Sequence, residues 1–184
     1  MVNVWRPSPD HNRYGDDPAF LEERFGVEPV AELLRGDVLG VARFVILPSF
    51  EGEAIFTFVY RTRFVTINSA IAERSLWGSL HTGKWSEPIR NSYSVPVEDL
   101  PNPLQEWSSL KETARAAPSV RVAIIDGRSY ITLDGVMYRH TVCDFEETID
   151  AQWSNPAPEA TNHVLQMTLV TAYDSVISKI RMSE

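Results

Sequence analysis

His140, Cys143 and Asp144 stand within one five-residue run, His140-Thr141-Val142-Cys143-Asp144. Imidazole, thiolate and carboxylate are ligands that zinc takes in tetrahedral sets of three or four. The run is rich in branched residues and reads as a strand, and successive side chains of a strand point to opposite faces. His140 and Cys143 then diverge, so a core histidine and a small buried or edge cysteine outweigh a metal site. Cys143 with His163 could form a thiol nucleophile and its base. No glycine-rich elbow or helix start adjoins Cys143 to lower its pKa, which weighs against that chemistry.

Asp144, Glu146, Glu147 and Asp150 make a second cluster. Paired carboxylates serve acid–base chemistry or bind hard cations, but the spacing is not that of an EF-hand. No phosphate-binding loop, GxGxxG or GxSxG pattern occurs. The plain reading is a solvated acidic loop, and the alternative is a surface that faces a basic partner. Trp77, Trp85 and Trp153, with Tyr93, fall in or beside segments without clear periodicity. Tryptophan is enriched at binding hot spots, and the competing reading is that these rings close the core under long loops.

The chain has 184 residues, enough for one domain, which we place over 1–184. Formal net charge is −8, from 25 acids against 17 bases, which argues against nucleic acid and against an anionic membrane surface. No run approaches the roughly 20 apolar residues of a membrane span. The first residues lack the basic and apolar segments of a signal peptide. Cys143 is the single cysteine, so no intrachain disulfide can form. Together these features point to a cytoplasmic protein with no cofactor.

The elements that must position these residues are legible in outline. Two Asp-Gly pairs, Asp126-Gly127 and Asp134-Gly135, each separate apolar, branched runs. Asp-Gly supplies the positive φ angles of a two-residue hairpin turn, so 120–143 predicts a three-stranded antiparallel meander. Turn length fixes register. Ile125 should face Arg128, and Ala123 should face Tyr130. Across the second turn Leu133 should face Val136, and Ile131 should face Tyr138. Val136, Tyr138, His140 and Val142 then share a core face. Met137, Arg139, Thr141 and Cys143 share a mixed face expected to be half-solvated.

Asp17-Pro18 is a helix start, with an acceptor at the N-cap and proline in the first turn. It should give Ala19 to Phe25, closed by Gly26, and a second short helix from Val30 to Arg35. Val38 to Leu47 reads as a strand. Residues 53–68 alternate with Ala54, Phe56, Phe58, Tyr60, Phe64 and Thr66 on one side, as one bent strand or as two broken near Arg61-Thr62. Asn68 or Ser69 could cap a helix through Trp77. Residues 1–15 read as an irregular arm, and 78–97 as a long irregular segment. Asn102-Pro103 starts a helix over 103–116, with Leu104, Trp107, Leu110 and Ala114 at helical spacing. The longest expected helix covers 159–181.

The fold class is therefore α+β: an antiparallel sheet packed by helices near 103–116 and 159–181. For function, the balance is against an enzyme. The leading expectation is a non-enzymatic protein-binding module that neutralises a basic partner, in the manner of a bacterial toxin-immunity protein. The candidate binding residues are Trp77, Trp85, Tyr93, Asp144, Glu146, Glu147, Asp150 and Trp153. A second expectation is a small-molecule binder or enzyme with a pocket between sheet and helices, using Tyr138, His140 and His163. A third is a structural subunit of a larger assembly, with a homo-oligomer through the mixed sheet face.

Overall fold

The computed structural model describes residues 17–48, 51–84, 86–99, 103–116, 123–125, 128–130 and 136–154. The arm at 1–15 and the helix expected at 159–181 lie outside them.

Six of the described strands form one antiparallel sheet, in the spatial order β4 (Ile89–Pro96), β3 (Phe64–Ile71), β2 (Ala54–Arg61), β1 (Val38–Pro48), β7 (Val136–Asp144) and β8 (Thr148–Ser154). A separate hairpin pairs β5 (Ala123–Ile125) with β6 (Arg128–Tyr130). The helices are α1 (Pro18–Phe25), α2 (Val30–Leu33), α3 (Leu76–Thr82) and α4 (Pro103–Ala116), with a 3₁₀ turn at Val97–Asp99. The protein is α+β, as the sequence predicts.

β1 holds the centre. It pairs β2 on one side and β7 on the other. Its composition, VLGVARFVILP, is apolar on both faces, as a strand covered on both faces requires. On one face Ala42, Phe44 and Ile46 meet Phe56, Tyr60, Tyr138 and Val142, and α4 covers them with Leu110 and Ala114. The predicted apolar stripe of 103–116 is thus the stripe that packs.

The opposite face is also covered, which corrects the half-solvated expectation. Phe20, Leu21 and Phe25 of α1 pack on Leu47, Ile55 and Ala70, with Leu76 of α3. α2 sets Leu33 against Val38, Val41 and Val59. Fully burying one such phenylalanine or leucine contributes on the order of 1.5–3 kcal/mol. Arg139 and Cys143, expected to be part-solvated, are buried here. An exposed-looking pattern misleads because α1–α3 arrive from distant parts of the chain.

α1 forms as its sequence dictates. The Asp17 carboxylate accepts the Ala19 N–H at 3.0 Å, and Pro18 occupies the first turn. Gly26, at φ 56°, ends the helix in the left-handed region.

Residues 53–71 are two strands, with the turn at Thr62-Arg63. A two-residue turn reverses which parity faces the core. Phe58 pairs Ile67 and Tyr60 pairs Val65. Val65 and Ile67 therefore join the aromatic core, and Phe64 and Thr66 do not. Two further expectations are corrected. Residues 68–71 extend β3, and the helix begins later, at Leu76, capped by Ser75 and closed at Gly83. Within 78–97, residues 89–96 are strand β4, paired with all of β3 from Phe64 to Ile71. Its sequence, IRNSYSVP, is too polar to announce a strand, because it lies at the edge of the described sheet.

The first Asp-Gly hairpin has the predicted register, Ile125 opposite Arg128 and Ala123 opposite Tyr130. The pairing expected across Asp134-Gly135 lies outside the described residues. β7, the third strand of that expectation, pairs with β1 and β8.

Candidate functional site

Three of the four acids of the sequence cluster, Asp144, Glu146 and Glu147, fall at the β7–β8 turn, where α4 crosses the end of the sheet. Asp144 closes β7, and its carboxylate is the hub. Oδ1 accepts the backbone N–H groups of Glu146 and Glu147, each at 3.0 Å, which shapes the turn. Oδ2 accepts Lys111 Nζ at 2.8 Å and Trp107 Nε1 at 3.3 Å from α4. Burial alone would raise the Asp144 carboxyl. The hydrogen bonds from Lys111, the two backbone amides and Trp107 outweigh it and hold the pKa at about 2.

Glu147 extends the network. It pairs with Lys111 at 2.7 Å and with Arg115, and these two cations hold its carboxyl below the ordinary value. The hydrogen bonds that Lys111 donates to Asp144 and Glu147 in turn raise the pKa of its ammonium. Trp107, Lys111 and Arg115 recur every four residues, so one helix face supplies every cation and the indole. Tyr60 meets the Trp107 ring edge-on, with centroids 4.9 Å apart.

Around this network lies an open cavity of about 540 Å³. Two large apolar side chains stand in solvent at its rim: Phe145 is 70% exposed and Leu39 is 56% exposed. The cavity wall carries four acids, Glu112, Asp144, Glu146 and Glu147, against two bases, Lys111 and Arg115. The bases are spent on Asp144 and Glu147. Glu112 is exposed, and Glu146, 85% exposed, touches Lys111 only at 3.8 Å. The surface thus combines two exposed apolar side chains with an excess of negative charge.

The sequence-predicted residues divide. Asp144, Glu146 and Glu147 come together here. Asp150 is on β8 and accepts Thr141 Oγ1 at 2.6 Å on the opposite face of the sheet. Trp77 is 37% exposed on α3, away from this corner. Trp85 and His163 lie outside the described residues, as do the side chains of Tyr93 and Trp153, whose backbones belong to β4 and β8. Leu39, Trp107, Lys111, Arg115 and Phe145 were not singled out as binding residues. The i, i+4 spacing of the two cations on an otherwise acidic chain was the available signal.

His140 is not a pocket residue. It is 0% exposed and stacks on Phe44, with ring centroids 3.9 Å apart and planes 17° apart. Among the described residues neither ring nitrogen has a hydrogen-bond partner. Burial pushes its pKa down to about 3, so the ring is neutral. Tyr138 is buried in the same core. Tyr138 and His140, two residues of the expected pocket, are thus buried among core side chains, and His163, the third, lies outside the described residues. Cys143, on the other face, contacts Thr148 Oγ1 at 2.9 Å.

No family model, no curated protein and no solved structure matches this chain. No helix among the described residues is long and apolar enough to cross a membrane.

Proposed function

We propose that the chain is a non-enzymatic protein-binding module whose docking surface is the corner made by Leu39, α4 and the β7–β8 turn. The supporting observation is the exposure of Phe145 and Leu39 at one cavity whose wall also carries Glu112 and Glu146. Large apolar side chains gain most when a partner takes them out of water, at roughly 25 cal/mol per Å² of apolar surface. The Asp144–Lys111–Glu147–Arg115 network fixes the turn that carries Phe145. Little ordering entropy is then left to be lost on binding. The free acids select a partner segment with lysine or arginine beside an apolar residue. Neutralising a basic protein, such as a bacterial toxin, is the role we assign to such a surface. A net charge of −8 would speed that encounter. A cytoplasmic setting belongs to the same reading, since the lone cysteine requires no oxidising compartment.

The test is capture from lysate of the source cells, followed by titration of the purified partner. Phe145→Ala and Glu112→Lys should leave thermal unfolding unchanged, because both side chains are in solvent. Each should weaken binding by roughly tenfold or more, as loss of about 1.4 kcal/mol would. A partner that binds both variants as tightly as the wild type, or a bait that captures nothing, would overturn the assignment.

A further inference from the structure

The other face of the sheet carries a row of polar residues at one register. Reading across the strands, Ser92, Asn68, Thr57, Arg43, Thr141 and Asp150 are successive cross-strand partners from β4 to β8. The rows on either side are apolar at their centre, with Val45 beside Ile55 and Val41 beside Val59. A polar row through a covered face is expensive unless each member is satisfied.

Its central members are satisfied. The Arg43 guanidinium is buried, donates from Nε to Thr57 Oγ1 at 3.0 Å and from Nη2 to the Glu28 carbonyl at 2.6 Å, and pairs with Glu22. Thr141 and Asp150 satisfy each other. The β3–β4 end differs. Asn68 is half-buried, and among the described residues neither its side chain nor that of Ser92 has a hydrogen-bond partner. Both line a cavity of about 360 Å³ between the α1–α2 connection and the sheet. That volume is at the low end of the roughly 300–1,000 Å³ typical of ligand pockets. Val27, Leu33 and Ile55 supply apolar wall.

Arg90 completes the wall. Its Nε and Nη2 both donate to the Phe25 carbonyl, at 3.2 and 2.9 Å, so one edge of the guanidinium closes the C-terminus of α1. At the other edge, Nη1 with Nη2, the partner among the described residues is Glu87, 3.6 Å from Nη2, and that side chain is 82% exposed. A planar fork of donors matches a carboxylate with two parallel hydrogen bonds. Arg43 is neutralised by Glu22, and the Glu28 carboxylate in the wall is paired with Arg35, so among the described residues of this wall Arg90, held by the exposed Glu87 at 3.6 Å, is the cation most open to an incoming anion.

We infer that this cavity binds a small carboxylic acid with an apolar body, its carboxylate on Arg90, its polar edge on Asn68 and Ser92, and its body against Val27, Leu33 and Ile55. The site is on the opposite face of the sheet from the Phe145 corner and stands or falls independently of it.

The probe is 4-phenylbutyrate at millimolar concentration, titrated into the ¹⁵N-labelled full chain, with 4-phenylbutyramide as its uncharged match. The acid should shift the amide resonances of Asn68, Ser69 and Ser92 saturably. The amide should bind roughly tenfold more weakly or worse, since it lacks the charge that Arg90 recognises. Arg90→Gln should lose a similar factor for the acid alone. Arg90 also closes α1, so Asn68→Ala provides a second variant that keeps that contact, and it should weaken both probes together. Equal binding of acid and amide would overturn the inference, as would shifts confined to other strands or no saturable shift at all.

Discussion

Trp107 of α4 lies directly on the backbone of Gly40 in β1. A Cβ added at Gly40 would sit 2.4 Å from Cζ2 of the indole and 2.5 Å from Cη2, closer than real Cβ atoms come to anything. The contact fixes how near α4 approaches the sheet. It thereby sets the distance from Trp107 Nε1 and Lys111 Nζ to the Asp144 carboxylate. A residue with no side chain determines the geometry of the charged corner.

Gly40→Ala should therefore cost about 1–3 kcal/mol, the range for overpacking a filled core. It should also displace the indole from Asp144. Urea unfolding followed by tryptophan fluorescence reads both effects. Gly78 is the comparison: it lies inside α3, and a Cβ there meets nothing within 4 Å. Gly78→Ala should stabilise by about 0.5–1 kcal/mol through helix propensity and a less flexible unfolded chain. Equal effects of the two substitutions would disprove the close approach.

Asp144 satisfies four donors: Lys111 Nζ, Trp107 Nε1 and the backbone N–H groups of Glu146 and Glu147. Asp144→Ala leaves them without their acceptor and should cost about 2–4 kcal/mol. The sign with pH follows from its depressed pKa. Its contribution is intact above the ordinary value of 3.8 and is lost as pH falls toward about 2. Combining Asp144→Ala with Lys111→Met should cost less than the sum of the single changes, by about 1–2 kcal/mol, in a double-mutant cycle. Simple additivity would mean that the two side chains do not work as a pair.

Glu53 is a fully buried acid at the entrance to β2. Its Oε2 accepts the Leu76 N–H at 2.7 Å and its Oε1 the Ser75 hydroxyl at 3.4 Å, so it fixes the start of α3. Its own carbonyl accepts Ala72 N–H at 2.9 Å, and Gly52 beside it leaves no room for a Cβ against the Ala72 carbonyl. Glu53→Ala should cost about 2–4 kcal/mol, from an orphaned amide and a cavity. Glu53→Gln keeps an acceptor and should cost roughly half as much. Hydrogen exchange at Leu76 should accelerate in the alanine variant well beyond the glutamine one. Equal exchange in the two would remove the carboxylate from this role.

The local signals were readable wherever the structure is local. Asp17-Pro18 with Gly26, the stripe Leu110–Ala114 and the Asp126-Gly127 hairpin each depend on residues within a few positions of one another. Position in the sheet was not readable. IRNSYSVP is a strand because β3 offers it a ladder, and no periodicity within the segment reveals that. The polarity of Arg139 and Thr141 suggested a half-solvated face, because the helices that cover this face of the sheet, α1–α3, come from across long sequence separations. For the candidate site, the acids at 144–147 were visible as a cluster. Their locking by Lys111 and Arg115, and the exposure of Leu39 and Phe145, arise from tertiary contact alone.

His140 provides a test of burial chemistry that involves no partner. Its ring is enclosed, stacked on Phe44, and without a hydrogen-bond partner among the described residues. In the unfolded chain it titrates near 6.5, and in the fold near 3. Above pH 6.5 both states are neutral and the residue contributes no pH dependence. Below it, the unfolded chain takes up a proton that the folded chain refuses, so stability falls, by about 2 kcal/mol at pH 5. The loss levels off below pH 3, where the folded state also protonates. The lowered carboxyls, Asp144 and Glu147, lose their contributions only below their ordinary values of 3.8 and 4.5, and Glu22, whose carboxyl burial raises, acts in the opposite sense, so the histidine is read as the difference between wild type and a His140 variant from pH 6.5 to 5. His140→Leu, of similar volume, should be no less stable than wild type at pH 7, since it removes two buried nitrogens that lack partners. It should also lack the decline from pH 7 to 5 that His140 gives the wild type. Parallel declines in urea unfolding across that interval would show that His140 is already solvated or paired in the folded protein.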